Sequence, residues 1–175
     1  FVTDGFLDVA LAMEPKEDGL LRGAFKRTKK YLVDSLMVKR MFVMALPMMI
    51  GTLLLFRNYF EIDLPKAWTI SLTTLAVFQW FNAWNCRHES KSIFNLNPFS
   101  NKFLVGATII VIFLQFSAVY NPLLQKILHT VPLSFSDWLL IVPVAASIVL
   151  FEEIRKALHR KNEKNNKICY QTAVL

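Results

Sequence analysis

Charge is scarce in this 175-residue chain, and where it is missing matters more than how much is missing. Asp, Glu, Lys and Arg make up 19% of the residues, against about 25% in an ordinary soluble domain. They sit in short blocks separated by long, nearly uncharged runs. The five glycines are widely spread, so no glycine-rich loop is available to cradle a phosphate. Two cysteines, Cys86 and Cys169, cannot build a disulfide framework and read as free thiols. His88, His129 and His159 stand at no metal-ligand spacing. No secretory signal is recognisable in the opening residues, which are apolar but carry Asp4 and Asp8. No catalytic residue is assigned.

What the chain has in abundance is apolar length. A helix needs roughly 20 mostly apolar residues to cross a hydrocarbon core of about 30 Å. Four such spans are predicted, at 37–59, 66–87, 102–120 and 136–154. Fifteen Phe and four Trp suit a lipid setting, and Tyr59, Trp68, Tyr120 and Trp138 fall near span ends, where amphipathic rings prefer the headgroup region. A soluble helical protein of this length would have too little polar surface to cover four such windows. The predicted fold is therefore all-α and polytopic in the membrane.

The basic residues test that count. Seventeen of the 20 Lys and Arg fall on alternate connections (Lys16 to Arg40, Arg87 to Lys102, and Arg155 to Lys167), and the other three are Arg57, Lys66 and Lys126. Basic residues bias to the cytoplasmic side, so the basic connections and the tail at 163–175 are expected there. The net charge of +7 then points to anionic lipid headgroups and not to nucleic acid. Glu152 and Glu153, at the same end of the last span, are expected to anchor it among headgroups. Pro65 suits a first helical turn, Asn101 an N-cap, and Ser136 with Asp137 a cap for a span beginning at Trp138. Pro47 and Pro143 lie inside spans, where neighbouring helices can satisfy the freed carbonyls. The polar, asparagine-rich end from Asn162 is expected to be a mobile tail.

Residues 1–13 are apolar but too short to cross, about 20 Å as a helix. They are expected to be the second half of a spanning helix. Asp4 is the most informative residue in them, because a carboxylate at membrane depth marks an ion path or a charged partner. Thr3 offers a hydroxyl beside it, and Gly5 can loosen the helix and free carbonyls. Oxygens of these three kinds are what hard cations such as calcium take. Alternatively, Phe1 to Gly5 is a loop and Asp4 its N-cap. On the second span Gln79, Asn82 and Asn85 recur every three residues and form one amide stripe. The stripe either faces the ion path or hydrogen-bonds between helices.

Residues 1–15, reading F-V-T-D-G-F-L-D-V-A-L-A-M-E-P, resemble the sixth transmembrane helix of P-type cation ATPases of the calcium-pump group. F-Q-W-F-N-A-W-N at 78–85 is similar to that family's eighth helix, and P-L-S-F-S-D-W-L-L at 132–140 to the start of its tenth. The three fall in order across residues 1–162, which are read as a truncated sixth helix followed by helices seven to ten. The resemblance implies that Thr3 and Asp4 give oxygens to the transported cation. Gln79 stands where two-site calcium pumps carry Glu, which implies a one-site calcium or manganese pump. Asn82, one turn on, is a further candidate ligand. Asp8 could sit at the cytoplasmic mouth of the ion path, or be solvated or paired. The connection at 14–36 corresponds to the loop that helps couple the membrane part to the phosphorylation domain. The family's D-K-T-G-T and T-G-E motifs do not occur. ATP and magnesium would thus be handled by other domains of the same pump, which with the preceding helices are the expected partners besides lipid. Rival readings are a non-enzymatic membrane scaffold or pump relic, a channel or secondary carrier, and a pump for a monovalent cation.

Overall fold

A computed structural model describes residues 2–15, 35–88 and 91–172, without the side chains of 2–3, 35–36 and 162–172. Most of the connection at 14–36, the side chains of Thr3 and Cys169, and residues 173–175 lie outside the described residues. Six α-helices occur among those described: α1 (Val2–Ala12), α2 (Ser35–Phe60), α3 (Leu64–Asn85), α4 (Lys102–Tyr120), α5 (Pro122–Leu128) and α6 (Phe135–Thr172). Two single turns of 3-10 helix, Ile93–Asn95 and Pro98–Ser100, lie between α3 and α4.

The local chemistry sets the helix ends. Asp63 caps α3 by accepting from the Lys66 amide at 3.1 Å, with Pro65 in the first turn. Asn101 caps α4 through the Leu104 amide at 3.0 Å, as its position predicts. The cap of α6 lies further upstream than the sequence suggested. Ser134 Oγ accepts from the Asp137 amide at 3.4 Å while Asp137 Oδ2 accepts from the Ser134 amide at 2.8 Å. This is a reciprocal capping box, so Asp137 is the third helical residue and not the cap. His129 takes a left-handed conformation, φ 53°, and ends α5, a short helix inside what had read as a plain connection. At the other end the expected tail continues α6 as helix to Thr172.

Among the described residues three helices are long and apolar enough to cross a membrane: Met37–Phe60, Lys102–Tyr120 and Phe135–Lys161, with mean hydropathies of 1.6, 2.2 and 1.7. The fourth predicted span, α3, is 22 residues long but more polar. Its position explains the polarity. It packs against α1, α2, α4 and α6, and Thr69, Thr73, Thr74 and Asn85 are buried in it. A central helix can carry hydroxyls and amides because neighbouring helices, not hydrocarbon, meet them. Gln115 of α4 donates to Thr73 Oγ1 at 3.0 Å, Trp84 Nε1 to Thr108 Oγ1 at 3.1 Å, and the Val131 amide to Thr69 Oγ1 at 3.0 Å.

Ile70, Val77 and Phe78 of α3 share one apolar cluster with Met44 and Leu55 of α2 and Ile141, Ala145 and Ile148 of α6. Gly51 lets α2 come close here: a Cβ on it would stand 2.8 Å from Val144 Cγ1 and 3.0 Å from Phe78 Cζ. Leu7 and Ala10 of α1 join Ala83 of α3 and Leu104, Ala107 and Val111 of α4 in a second cluster. α1, α3 and α6 run one way and α2 and α4 the other. Arg40, Arg87, Arg155 and Lys156 consequently gather at one end of the bundle. At the opposite end Lys66 pairs with Asp137 at 3.0 Å, Tyr59 donates to the same carboxylate at 3.0 Å, and Trp138 donates to Tyr120 at 2.9 Å.

Candidate cation site

α1 begins at Val2, so Asp4 lies within helix and the loop alternative does not describe this segment. Asp4 and Asp8 are one turn apart, and with Leu7 and Leu11 they form one wall of a cavity of about 140 Å³. The facing wall is α3, which contributes Gln79, Asn82, Ala83 and Cys86. Two elements 75 residues apart thus bring Asp4, Gln79 and Asn82 to one small polar space. It has room for a cation and several waters.

Asp4 is half-buried and Asp8 exposed. Asn82 Oδ1 accepts from the Cys86 thiol at 3.8 Å. The other polar cavity-lining groups make no hydrogen bond to a described residue. Among the described residues no three His, Cys, Asp or Glu side chains converge closely enough to hold a metal. A hard cation beside Asp4 would therefore draw its remaining oxygens from amide, hydroxyl and backbone carbonyl groups. Asn85 leaves the stripe. It is fully buried, its side-chain amide has no hydrogen-bond partner, and its carbonyl accepts from Lys156 Nζ at 3.0 Å and Arg40 Nη2 at 3.4 Å. It neither faces the cavity nor bonds between helices through its side chain.

Just past the cavity, three segments meet around Arg87, whose side chain is 1% exposed. Its Nε and Nη2 donate to Glu14 Oε1 at 3.0 and 2.7 Å, and its Nη1 to the Asn97 carbonyl at 3.2 Å. Asn101 donates to Glu14 Oε2 at 2.7 Å and to the Ala10 carbonyl at 3.0 Å. Glu14 opens the connection at 14–36, and the structure makes it the acceptor of a partly buried clamp. Burial alone would raise the Glu14 pKa, but the Arg87 and Asn101 hydrogen bonds and the Arg87 charge hold it below its ordinary value. Stabilisation from a lowered carboxylate pKa is present above the unfolded value, about 4.3, and is lost as pH falls through the folded one. Glu14→Gln is expected to lower the thermal midpoint at neutral pH, with the difference from the native protein shrinking as pH falls below the unfolded value and through the lower folded one. Unfolding scans across that window check it.

Glu152 also differs from expectation. It is fully buried, not anchored among headgroups, and meets Arg40 Nε at 3.3 Å and Arg155 Nε at 2.7 Å. Glu153 accepts from the Ile93 amide at 2.8 Å. A signal for Glu152 and Lys156 was present: the buried stripe Ile141, Ala145, Ile148 of α6 continues at helical spacing onto both.

These features define a multi-pass α-helical membrane protein with a polar, carboxylate-bearing cavity beside its central helix. Residues 1–158 match the family of the cation-transporting ATPase C-terminus, and the chain belongs to that family. It is 32% identical over 167 residues to Calcium-transporting ATPase 1 of Saccharomyces cerevisiae, covering 93% of this chain and 18% of that protein. Identity to the Calcium-transporting ATPase of Bacillus subtilis is 32% over 153 residues (83% and 16% of the two chains), and to the mouse Calcium-transporting ATPase type 2C member 1 it is 28% over 168 residues (95% and 18%). The chain thus spans less than a fifth of the length of these relatives.

Proposed function

We propose that this chain works as the C-terminal membrane part of an ATP-driven divalent cation pump, supplying part of the transmembrane ion site and the helices that support it. The observation that carries this reading is the convergence of Asp4 from α1 with Gln79 and Asn82 from α3 on one polar cavity among apolar helices. An ionisable group at such a depth has a functional role by default. Thr3, next to Asp4, adds its hydroxyl in this reading, and α3 crosses the membrane as a fourth full span with α1 as part of a fifth. The basic end of the bundle faces the cytoplasm.

Calcium is the favoured cargo, because the relatives' names specify calcium transport and the cavity offers carboxylate and amide oxygens, the hard ligands calcium takes. Manganese suits the same oxygens. The neutral Gln79 favours a single site with the one full charge of Asp4 at its centre. ATP and magnesium act on other domains of the same pump. A change of bundle packing driven there would open the cavity alternately to either side. ATP-dependent uptake of radioactive calcium into vesicles carrying the full-length pump, with manganese as competitor, tests the reading. Uptake of neither ion would overturn it and leave the scaffold alternative.

A further inference from the structure

The two walls of the cavity belong to helices whose apolar contact is the cluster of Leu7 and Ala10 with Ala83. Among the described side chains of α1, Leu7 and Ala10 are the buried ones. On its other flank α1 borders an apolar groove of about 680 Å³, lined by Phe6, Val9, Met13, Phe103 and Ile110. The polar ties between α1 and α3 lie at one end. Leu11 and Cys86 are the last residues lining the cavity along α1 and α3. Glu14 follows three residues after the first and Arg87 one after the second, and they meet through two hydrogen bonds to one carboxylate oxygen, at 2.7 and 3.0 Å. Asn101 adds a third tie, bonding both Glu14 and the Ala10 carbonyl.

We propose that the Glu14–Arg87 pair is a strut that holds the α1 and α3 walls together at the basic end of the cavity and sets how readily the cavity opens to that side. The proposal rests on reading the cavity as the cation site. Glu14 and Arg87 are positioning residues in it and touch no cation. The pair suits the task because Arg87 cannot deprotonate and its planar fork fixes the angle as well as the distance between the helices. Loss of the strut frees the end of α1 to swing from α3 and exposes the last polar lining group, the Cys86 thiol.

Cys86 supplies a native reporter. In vesicles carrying the full-length pump without nucleotide, its modification by a charged methanethiosulfonate, followed by mass spectrometry of the Cys86 peptide, measures opening of that end. Glu14→Gln is expected to raise the rate by about tenfold or more, the shift in an opening equilibrium that follows loss of a charge-assisted hydrogen-bonded pair. Glu14→Asp and Arg87→Lys, which keep the charges but loosen the fork, are expected to fall between Gln and the native protein. Asp137→Asn breaks a comparable pair at the opposite end of the bundle and is expected to leave the rate within about twofold, as distant sites act independently. A native rate in Glu14→Gln, or an equal rise in Asp137→Asn, overturns the strut. Calcium is expected to slow modification of the native protein; if it does not, the reading of the cavity fails while the strut is still judged by the variants.

Discussion

Asp4→Asn in the full-length pump is expected to lower apparent calcium affinity by about a hundredfold or more while leaving the fold intact. The magnitude follows from the roughly 3 kcal/mol or more that truncating one side of a desolvated charge contact costs. Asparagine keeps the shape of the side chain and one oxygen, so the steric fit of the cavity is preserved. What disappears is the one full negative charge that α1 and α3 together hold at half-burial in this cavity. Asp8, the other carboxylate lining the cavity, is more exposed than Asp4. Removing an ionisable group from membrane depth relieves a desolvation cost, so thermal stability without cation is expected to be equal or slightly higher. A loss of affinity without loss of stability separates a ligand from a structural residue. Uptake across a calcium titration, paired with an unfolding scan, checks both halves. Native affinity in the variant would remove Asp4 from the site.

The parts of the molecule that were legible in its sequence are those governed by local rules. Lipid imposes a minimum apolar length, and the spans at 37–59 and 102–120 coincide with α2 and α4 to within a few residues. Asn101 and Pro65 act within one turn of where they stand, and both behave as their types require. The amide stripe on α3 was only half legible. Spacing of three keeps residues on one face for one turn, but each step falls about 60° short of a full turn, and two steps carry Asn85 away from the cavity that Gln79 and Asn82 line. Glu14, Arg87 and Glu152 were misjudged for a different reason. Each is charged and close to a span end, where water or headgroups are the default partners. Glu14 and Arg87 lie 73 residues apart and Arg40 more than 100 residues from Glu152; the helical i,i+3 rule pairs Glu152 with Arg155, but no local rule pairs the others. The position of Ser134 shows the same limit at short range: Ser134 and Ser136 are both plausible caps, and only the reciprocal bond with Asp137 selects the first.

Glu152→Ala is expected to be among the most destabilising single substitutions in the bundle, at about 3–5 kcal/mol. Glu152 is 0% exposed and accepts from Arg155 at 2.7 and 2.8 Å while meeting Arg40 at 3.3 Å. Lys156, also 0% exposed, and Arg40 both donate to the carbonyl of Asn85 at the end of α3. Three cations from α2 and α6 therefore crowd around one carboxylate, and the last carbonyl of the central helix depends on two of them. Truncating Glu152 removes the carboxylate that the Arg40 and Arg155 guanidinium groups meet at 3.3 and 2.7 Å, a larger loss than the few methylene contacts removed with it. An exposed headgroup anchor would behave otherwise, costing no more than about 1 kcal/mol. At about 2–4 °C per kcal/mol for a chain of this size, the midpoint of the detergent-solubilised protein is expected to fall by roughly 10 °C. Replacing Arg40, Glu152, Arg155 and Lys156 together by methionine is expected to recover much of that loss, because an apolar set of similar volume has no charge to desolvate. A midpoint in Glu152→Ala within about 2 °C of native would mean that the carboxylate is solvated, and the three-helix junction would then have to be held by apolar packing alone.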